Sequence, residues 1–150
     1  MSGSAAAQFA ADLRIPYPTG WLLAVADSEA VATRGAALLA ARASDVRELR
    51  AAGNGIFDLR RPSRLEGFIN VLRHLNTDQA SDLVVYERAR RAGRVVLAAR
   101  GLNADARRDV AAELRTAGLH FVNFYGGVAT EDWDGWRGEP LAEVPGWAWR

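Results

Sequence analysis

The chain has 150 residues, of which 49% are hydrophobic and 25% are charged, and its formal net charge is +1. This length fits one hydrophobic core, so we expect residues 1–150 to form a single domain. The near-neutral charge predicts no nucleic-acid binding. All 19 basic side chains are arginine and there is no cysteine, which excludes a lysine Schiff base, a thiolate nucleophile and a disulfide.

The beginning of the chain predicts a leader rather than a folded element. Residues 1–19 start with small and polar residues and contain Pro16 and Pro18, so we expect a flexible and partly extended segment. No apolar stretch in the chain approaches the roughly 20 residues that cross a bilayer. We therefore expect no membrane segment and a cytoplasmic location.

The first regular elements form a strand, helix, strand unit. Trp21–Ala26 is apolar throughout, which is typical of a buried strand. A helix over residues 28–41 follows, and Gly35 on its inner stripe indicates close approach to the sheet. Asp45–Leu49 alternates in polarity and predicts a second strand.

Residues 62–91 predict a helical hairpin. Pro62 suits the first turn of a helix, and apolar residues then recur at helical spacing. These apolar residues are Leu65, Phe68, Ile69, Leu72 and Leu75. A second helix is predicted from residue 77 or 78 to about residue 91, with Gly93 closing it.

A second strand, helix, strand unit follows the hairpin. Residues 95–99 are continuously apolar, and His120–Tyr125 alternates as a strand with one covered face does. Between them Asn103 is a suitable helix N-cap, and Gly118 supplies the left-handed residue that ends many helices. This unit therefore has the same order of elements as the first.

Two such units in one small chain are the signature of the ferredoxin-like split βαβ arrangement. We expect an α+β fold in which two helices cover one face of a four-stranded antiparallel sheet. The opposite face then needs cover from a partner subunit, from the hairpin at 62–91 or from the tail.

The tail, residues 128–150, contains four of the five tryptophans. That is more large apolar surface than a free tail usually exposes. We expect the tail to strap across the domain or to dock on a partner protein.

His120 is the first candidate for proton transfer, with Tyr125, His74 and Asp132 as possible partners. Strand alternation puts His120 and Phe121 on opposite faces, and a half-exposed structural histidine is the favoured alternative. The spacing of the two histidines matches no metal-binding motif, so we expect neither a metal site nor a cofactor.

Two binding sites are also predicted. Phe124, Tyr125, Trp133 and Trp136 are candidates for lining an apolar cleft, although core aromatics followed by a turn would have the same sequence. Arginines at a helix start, where the helix dipole disfavours cations, suggest an anion site, with solvated arginines as the alternative. The arginines concerned are Arg60, Arg61 and Arg64.

Two stretches carry a family resemblance. The strand Trp21–Ala26 leads into a helix that opens with acidic and small residues, and residues 114–118 end a helix before a strand. Both are similar to small bacterial ferredoxin-like domains of the general-stress-protein type. The resemblance covers the two strand, helix, strand units only. It implies a stress-associated or ligand-sensing role and no catalytic residues.

The leading hypothesis is a non-catalytic domain that binds a small apolar or anionic molecule or has a regulatory role, and that acts as a dimer. One alternative is a small cofactor-free enzyme that uses His120 and Tyr125. The other is a protein-interaction module that docks through its tryptophan-rich tail.

Overall fold

The computed structural model describes residues 19–53, 55, 59, 79–126, 130–137 and 141. These residues form an α+β fold. Its elements are β1 (Trp21–Ala26), α1 (Glu29–Ala40), β2 (Asp45–Leu49), α2 (Gln79–Arg91), β3 (Val95–Arg100), a short 3-10 helix (Ala104–Ala106), α3 (Arg107–Thr116), β4 (His120–Tyr125) and β5 (Thr130–Asp132).

The strands form one sheet in the order β2-β3-β1-β4-β5, and every neighbouring pair in it is antiparallel. The described sheet has five strands where four were predicted. The fifth, β5, pairs with β4 by placing Glu131 opposite Phe124. Its three residues are too few for a periodic pattern, so this strand is defined by its pairing and not by its own sequence.

One face of the sheet is covered by α1 and α3, whose apolar residues pack on β1, β3 and β4. The predicted close approach of Gly35 is confirmed, because a Cβ atom there would lie 2.7 Å from Cδ1 of Leu97. The predicted ends of the second unit are also confirmed. Asn103 accepts from the N–H of Asp105 at 3.2 Å, and Gly118 adopts a φ of 102°.

The opposite face is covered by α2, and the predicted second helix of the hairpin is confirmed over Gln79–Arg91. Leu83, Tyr86 and Ala89 are among its residues that share a buried cluster with the sheet. Leu141 of the tail belongs to the same cluster. This face therefore receives cover from within the chain, and dimer formation stays a prediction. The first helix of the hairpin lies outside the described residues.

A buried ion pair joins α2 to the loop after β2. The guanidinium group of Arg90 donates to both carboxylate oxygens of Glu87, at 3.2 and 2.9 Å. Its remaining donor group reaches the backbone carbonyls of Arg50 at 2.9 Å and Gly53 at 2.8 Å. Because the loop carbonyls and the carboxylate share one guanidinium, the pair fixes the loop against the helix.

None of the helices in the described residues is long and apolar enough to cross a membrane.

Replacing Arg90 with leucine leaves the buried carboxylate of Glu87 without its bidentate partner. We expect the free energy of unfolding to fall by about 3–5 kcal/mol, measured by urea titration. The matched control is Arg42→Leu, which breaks an exposed ion pair with Glu113 and should cost less than about 1 kcal/mol. Equal losses in the two variants would contradict a stabilising role for the buried pair.

Candidate functional site

One end of the sheet gathers three polar side chains. Val25, the penultimate residue of β1, lies opposite His120 at the start of β4, and the last residue of β1 pairs with the first residue of β3. Because β1 is antiparallel to both neighbours, the residue that follows it meets the residues that begin β3 and β4. This topology brings Asp27, Arg94 and His120 together.

Both ring nitrogens of His120 have hydrogen-bond partners. Nε2 lies 3.0 Å from Oδ1 of Asp27, and Nδ1 accepts from the backbone N–H of Arg137 at 3.2 Å. A neutral imidazole carries one hydrogen, so this hydrogen resides on Nε2 and points at the carboxylate. The His120 side chain is 2% exposed, so the predicted half-exposed histidine is wrong.

Asp27 is shared between His120 and Arg94. Nε of Arg94 donates to the same Oδ1 atom at 3.0 Å, and its guanidinium carbon lies 5.8 Å from the ring centroid of Trp136. The side chains of Asp27 and Arg94 are 43% and 21% exposed. These two side chains therefore form the solvent-facing side of a group whose histidine is enclosed.

Residues 133–137, which we call the strap, continue along β4 beyond the end of β5. The backbone N–H groups of Trp133 and Asp134 both donate to the carbonyl of Val122, at 2.9 and 3.1 Å. The N–H of Phe121 donates to the carbonyl of Gly135 at 2.9 Å. Backbone bonds thus hold the strap against the part of β4 nearest His120.

The last two strap residues cover His120. The ring of Trp136 stands edge-on to the imidazole with centroids 4.6 Å apart, and it lies 5.9 Å from the ring of Phe121. The guanidinium group of Arg137 donates to the carbonyl of Leu119. The strap is therefore attached to the start of β4 by stacking as well as by hydrogen bonds.

A β-bulge in β4 allows these contacts. Leu23 lies opposite Asn123 and Val25 opposite His120, so β4 contains one residue more than β1 between the two pairs. Within this bulge Phe121 has a φ of 53°, a conformation that costs an aromatic residue on the order of 1 kcal/mol. The bulge breaks the predicted alternation, so His120 and Phe121 both contact the strap.

The hydroxyl group of Tyr86 attaches α2 to the same bulge. It is buried and lies within hydrogen-bonding distance of the backbone carbonyls of Leu23 and Phe121, the former at 3.1 Å. It is also 3.0 Å from the side-chain amide of Asn123. A tyrosine hydroxyl has one hydrogen, so it donates to one acceptor at a time. The carbonyls displaced by the bulge therefore face a polar group in an otherwise apolar layer.

Asn123 links Tyr86 to β5. When its amide is oriented so that both ends have partners, the oxygen accepts from Tyr86 and the NH₂ group donates to Oδ1 of Asp132, each at 3.0 Å. Burial raises the pKa of Asp132 above its ordinary value. Asp132 therefore belongs to a different polar group from His120.

The residues predicted for proton transfer do not form one group. Tyr125 is at the opposite end of β4 from His120, where its ring is fully buried. Asp132 is on β5, opposite Asn123. His74 lies outside the described residues.

The four aromatic residues predicted to line a cleft divide between the two faces of the sheet. Phe124 and Trp133 pack in the cluster beneath α1 and α3. Tyr125 and Trp136 pack on the side covered by α2. The sheet therefore separates the four rings into two pairs.

Arginines of α3 cover the pair on the first face. The guanidinium carbon of Arg107 lies 3.7 Å from the ring centroid of Phe124, and its Nη1 pairs with Glu131 at 3.0 Å. Arg108 lies 5.8 Å from the ring centroid of Trp133. These stacked arginines shield both rings from solvent.

The predicted anion site at Arg60, Arg61 and Arg64 lies outside the described residues and stays a prediction. Among the residues that the structure covers, no three histidine, aspartate or glutamate side chains are grouped to hold a metal ion. A shallow groove of about 450 Å³ lies between α1 and α3. Its lining consists of Leu38, Ala112, Glu113, Thr116 and Ala117. This groove includes none of the residues grouped around His120.

Sequence reasoning did not find the partners of His120. It treated Asp27 as a possible helix cap, a role that Ser28 performs, and Arg94 as one of several cations near the end of a helix. The ends of antiparallel strands meet in space, so the predicted strand order contained the signal that Asp27 and Arg94 lie near His120. The position of Arg137 had no such signal.

Comparison with protein-family models, with curated proteins and with solved structures gives no significant match to this chain. The chemistry of the site must therefore be inferred from its own geometry.

Because burial raises the pKa of Asp132, folding favours its protonated form. The stability from this carboxyl is complete below its pKa in the unfolded chain and is lost as the pH rises through its pKa in the folded chain. Asp132→Asn keeps an acceptor for Asn123 and cannot ionise. We expect the melting temperature of this variant, relative to the original chain, to rise between about pH 3 and about pH 7.

The control for this comparison is Asp105→Asn at an exposed position, which should show a smaller change over the same range. A relative melting temperature of Asp132→Asn that stays constant or falls with pH would contradict the burial effect.

Proposed function

We propose that this chain is a non-catalytic regulatory domain that binds a small molecule. The supporting observation is that the chain itself occupies both ring nitrogens of His120. A general base needs a lone pair that reaches the substrate. In neutral His120 that lone pair is on Nδ1, where it holds the backbone of Arg137. The imidazole therefore serves to position the strap.

We also propose that the two strand, helix, strand units form a ferredoxin-like split βαβ core. The neighbour order β2-β3-β1-β4, with antiparallel pairs throughout, supports this assignment. The packing of α1 and α3 in one cluster supports it as well. The helix α2 and the strand β5 are then additions to that core. The stress-associated role of general-stress-protein-type domains is the corresponding biological proposal.

The ligand that suits the site is a small anion with an apolar part. Arg94 uses Nε for Asp27, and its two Nη groups have no hydrogen-bond partner among the described residues. A guanidinium group presents such donors in a geometry that matches carboxylates and phosphates. The ring of Trp136, 5.8 Å from the same guanidinium, offers apolar contact beside it. We propose that the ligand binds between Arg94 and the strap.

A cofactor-free enzyme is the second candidate, because the Asp27–His120 contact is also the arrangement in which a carboxylate orients a general base. This activity would require Arg137 to leave Nδ1. It would also require a reacting partner other than Tyr125, which lies at the far end of β4.

A thermal-shift screen of small carboxylates and phosphates, with and without aromatic rings, tests the binding proposal. We expect hits to raise the melting temperature of the original chain. Calorimetric titration of those hits should show about tenfold weaker binding to Arg94→Gln, because one charge-assisted contact is lost.

The matched control is Arg47→Gln, because Arg47 also lies over a tryptophan, with 5.6 Å between its guanidinium carbon and the ring centroid of Trp21. This variant should bind the hits as the original chain does. A screen without stabilising compounds, or equal weakening in both variants, would count against the proposal.

A further inference from the structure

The strap is attached to His120 through an acceptor that protonation removes. Nδ1 accepts from the backbone N–H of Arg137 at 3.2 Å. A protonated imidazole carries a hydrogen on each nitrogen and has no acceptor left. Protonation would therefore set two N–H donors against each other at the contact between His120 and Arg137.

We propose that the strap is a pH-sensitive latch, closed while His120 is neutral and released from it when the imidazole is protonated. Histidine is the side chain suited to such a change because it gains its charge within the physiological range of pH. The latch does not depend on the proposed ligand binding, since every contact that it uses lies within the chain.

The strands hold the imidazole in place in both states. The carboxylate of Asp27 accepts from Nε2 whether the ring is neutral or charged, and it attracts the charged ring. Arg94, which shares the same carboxylate oxygen, opposes the new charge. The ring therefore keeps its bond to the strand side, and the lost bond is the one to the strap.

On the strap side the added charge meets a second arginine. The guanidinium group of Arg137 is paired with Asp134 at 3.0 Å, and Arg115 of α3 lies 3.9 Å from the same carboxylate. Asp134 is thus already shared between two cations, which limits its ability to neutralise a third. Repulsion between the imidazolium and the guanidinium of Arg137 acts in the same direction as the lost hydrogen bond.

Release would be confined to the end of the strap. Bonds from Trp133 and Asp134 to the carbonyl of Val122 do not involve the imidazole, so they hold the beginning of the strap in both states. The ring of Trp136 rests on His120 and Phe121, so its contacts would be lost with those of Arg137. The acid form would then expose an aromatic surface beside Arg94.

The bulge in β4 assembles this latch. In a regular strand consecutive side chains point to opposite faces. The φ of 53° at Phe121 instead lets both it and His120 contact Trp136. The strained residue is therefore the one that joins the titratable group to the strap.

Hydrogen exchange of individual backbone amides tests the latch. We expect the protection factor of the Arg137 amide, corrected for intrinsic exchange, to fall about tenfold or more between about pH 7.5 and about pH 5.5. Amides in the centre of β1 and β3 should keep their protection, which would show that the fold is intact. The same spectra report the protonation of the His120 ring.

Two variants separate the latch from general acid destabilisation. His120→Asn keeps a side-chain acceptor near the position of Nδ1 but cannot be protonated, so protection at Arg137 should be equal at both pH values. His120→Phe keeps a ring against Trp136 without the acceptor, so protection should be low at both. Unchanged protection in the original chain at the lower pH overturns the proposal. An acid-dependent loss in either variant, equal to that of the original chain, overturns it too.

Discussion

The packing of α2 against the second face of the sheet is the constraint on which the rest of the described structure depends. Without α2, Leu23, Val25 and Val96 would present a broad apolar surface to water. The hydroxyl of Tyr86 sets where the helix lies, because it must meet the carbonyls of β1 and β4 at the bulge. A buried hydroxyl without a partner costs about 1–3 kcal/mol, so this contact selects one position of the helix.

That position in turn supports the bulge. A left-handed aromatic residue persists only where its surroundings hold it, and Phe121 is held by Tyr86 on one side and by the strap on the other. The bulge then turns His120 toward the strap while Asp27 fixes the far side of the ring. Packing of a helix, strain in a strand and attachment of the tail are therefore linked through adjacent residues of β4.

The same links join the two proposals made for this chain. Arg94 contacts both the carboxylate that orients His120 and the ring of Trp136, which belongs to the strap. A ligand at Arg94 and a proton at His120 would therefore act on one movable segment. Coupling of this kind needs two arrangements of the strap, and the single backbone bond between Nδ1 and Arg137 is what distinguishes them.

The elements of this protein are determined by local sequence. Continuous apolar runs mark β1 and β3, Asn103 and Gly118 mark the ends of the helical region that contains α3, and helical spacing identifies α2. Such patterns reflect interactions within one or two turns or a few strand residues. Contacts across long separations are different: His120 meets Asp27 over 93 positions, because strand order and register bring them together. Strand β5, the bulge and the division of the aromatics between two faces likewise arise from pairing with β4. Only the tertiary structure decided them, since one extra residue in a strand changes which face its side chains occupy.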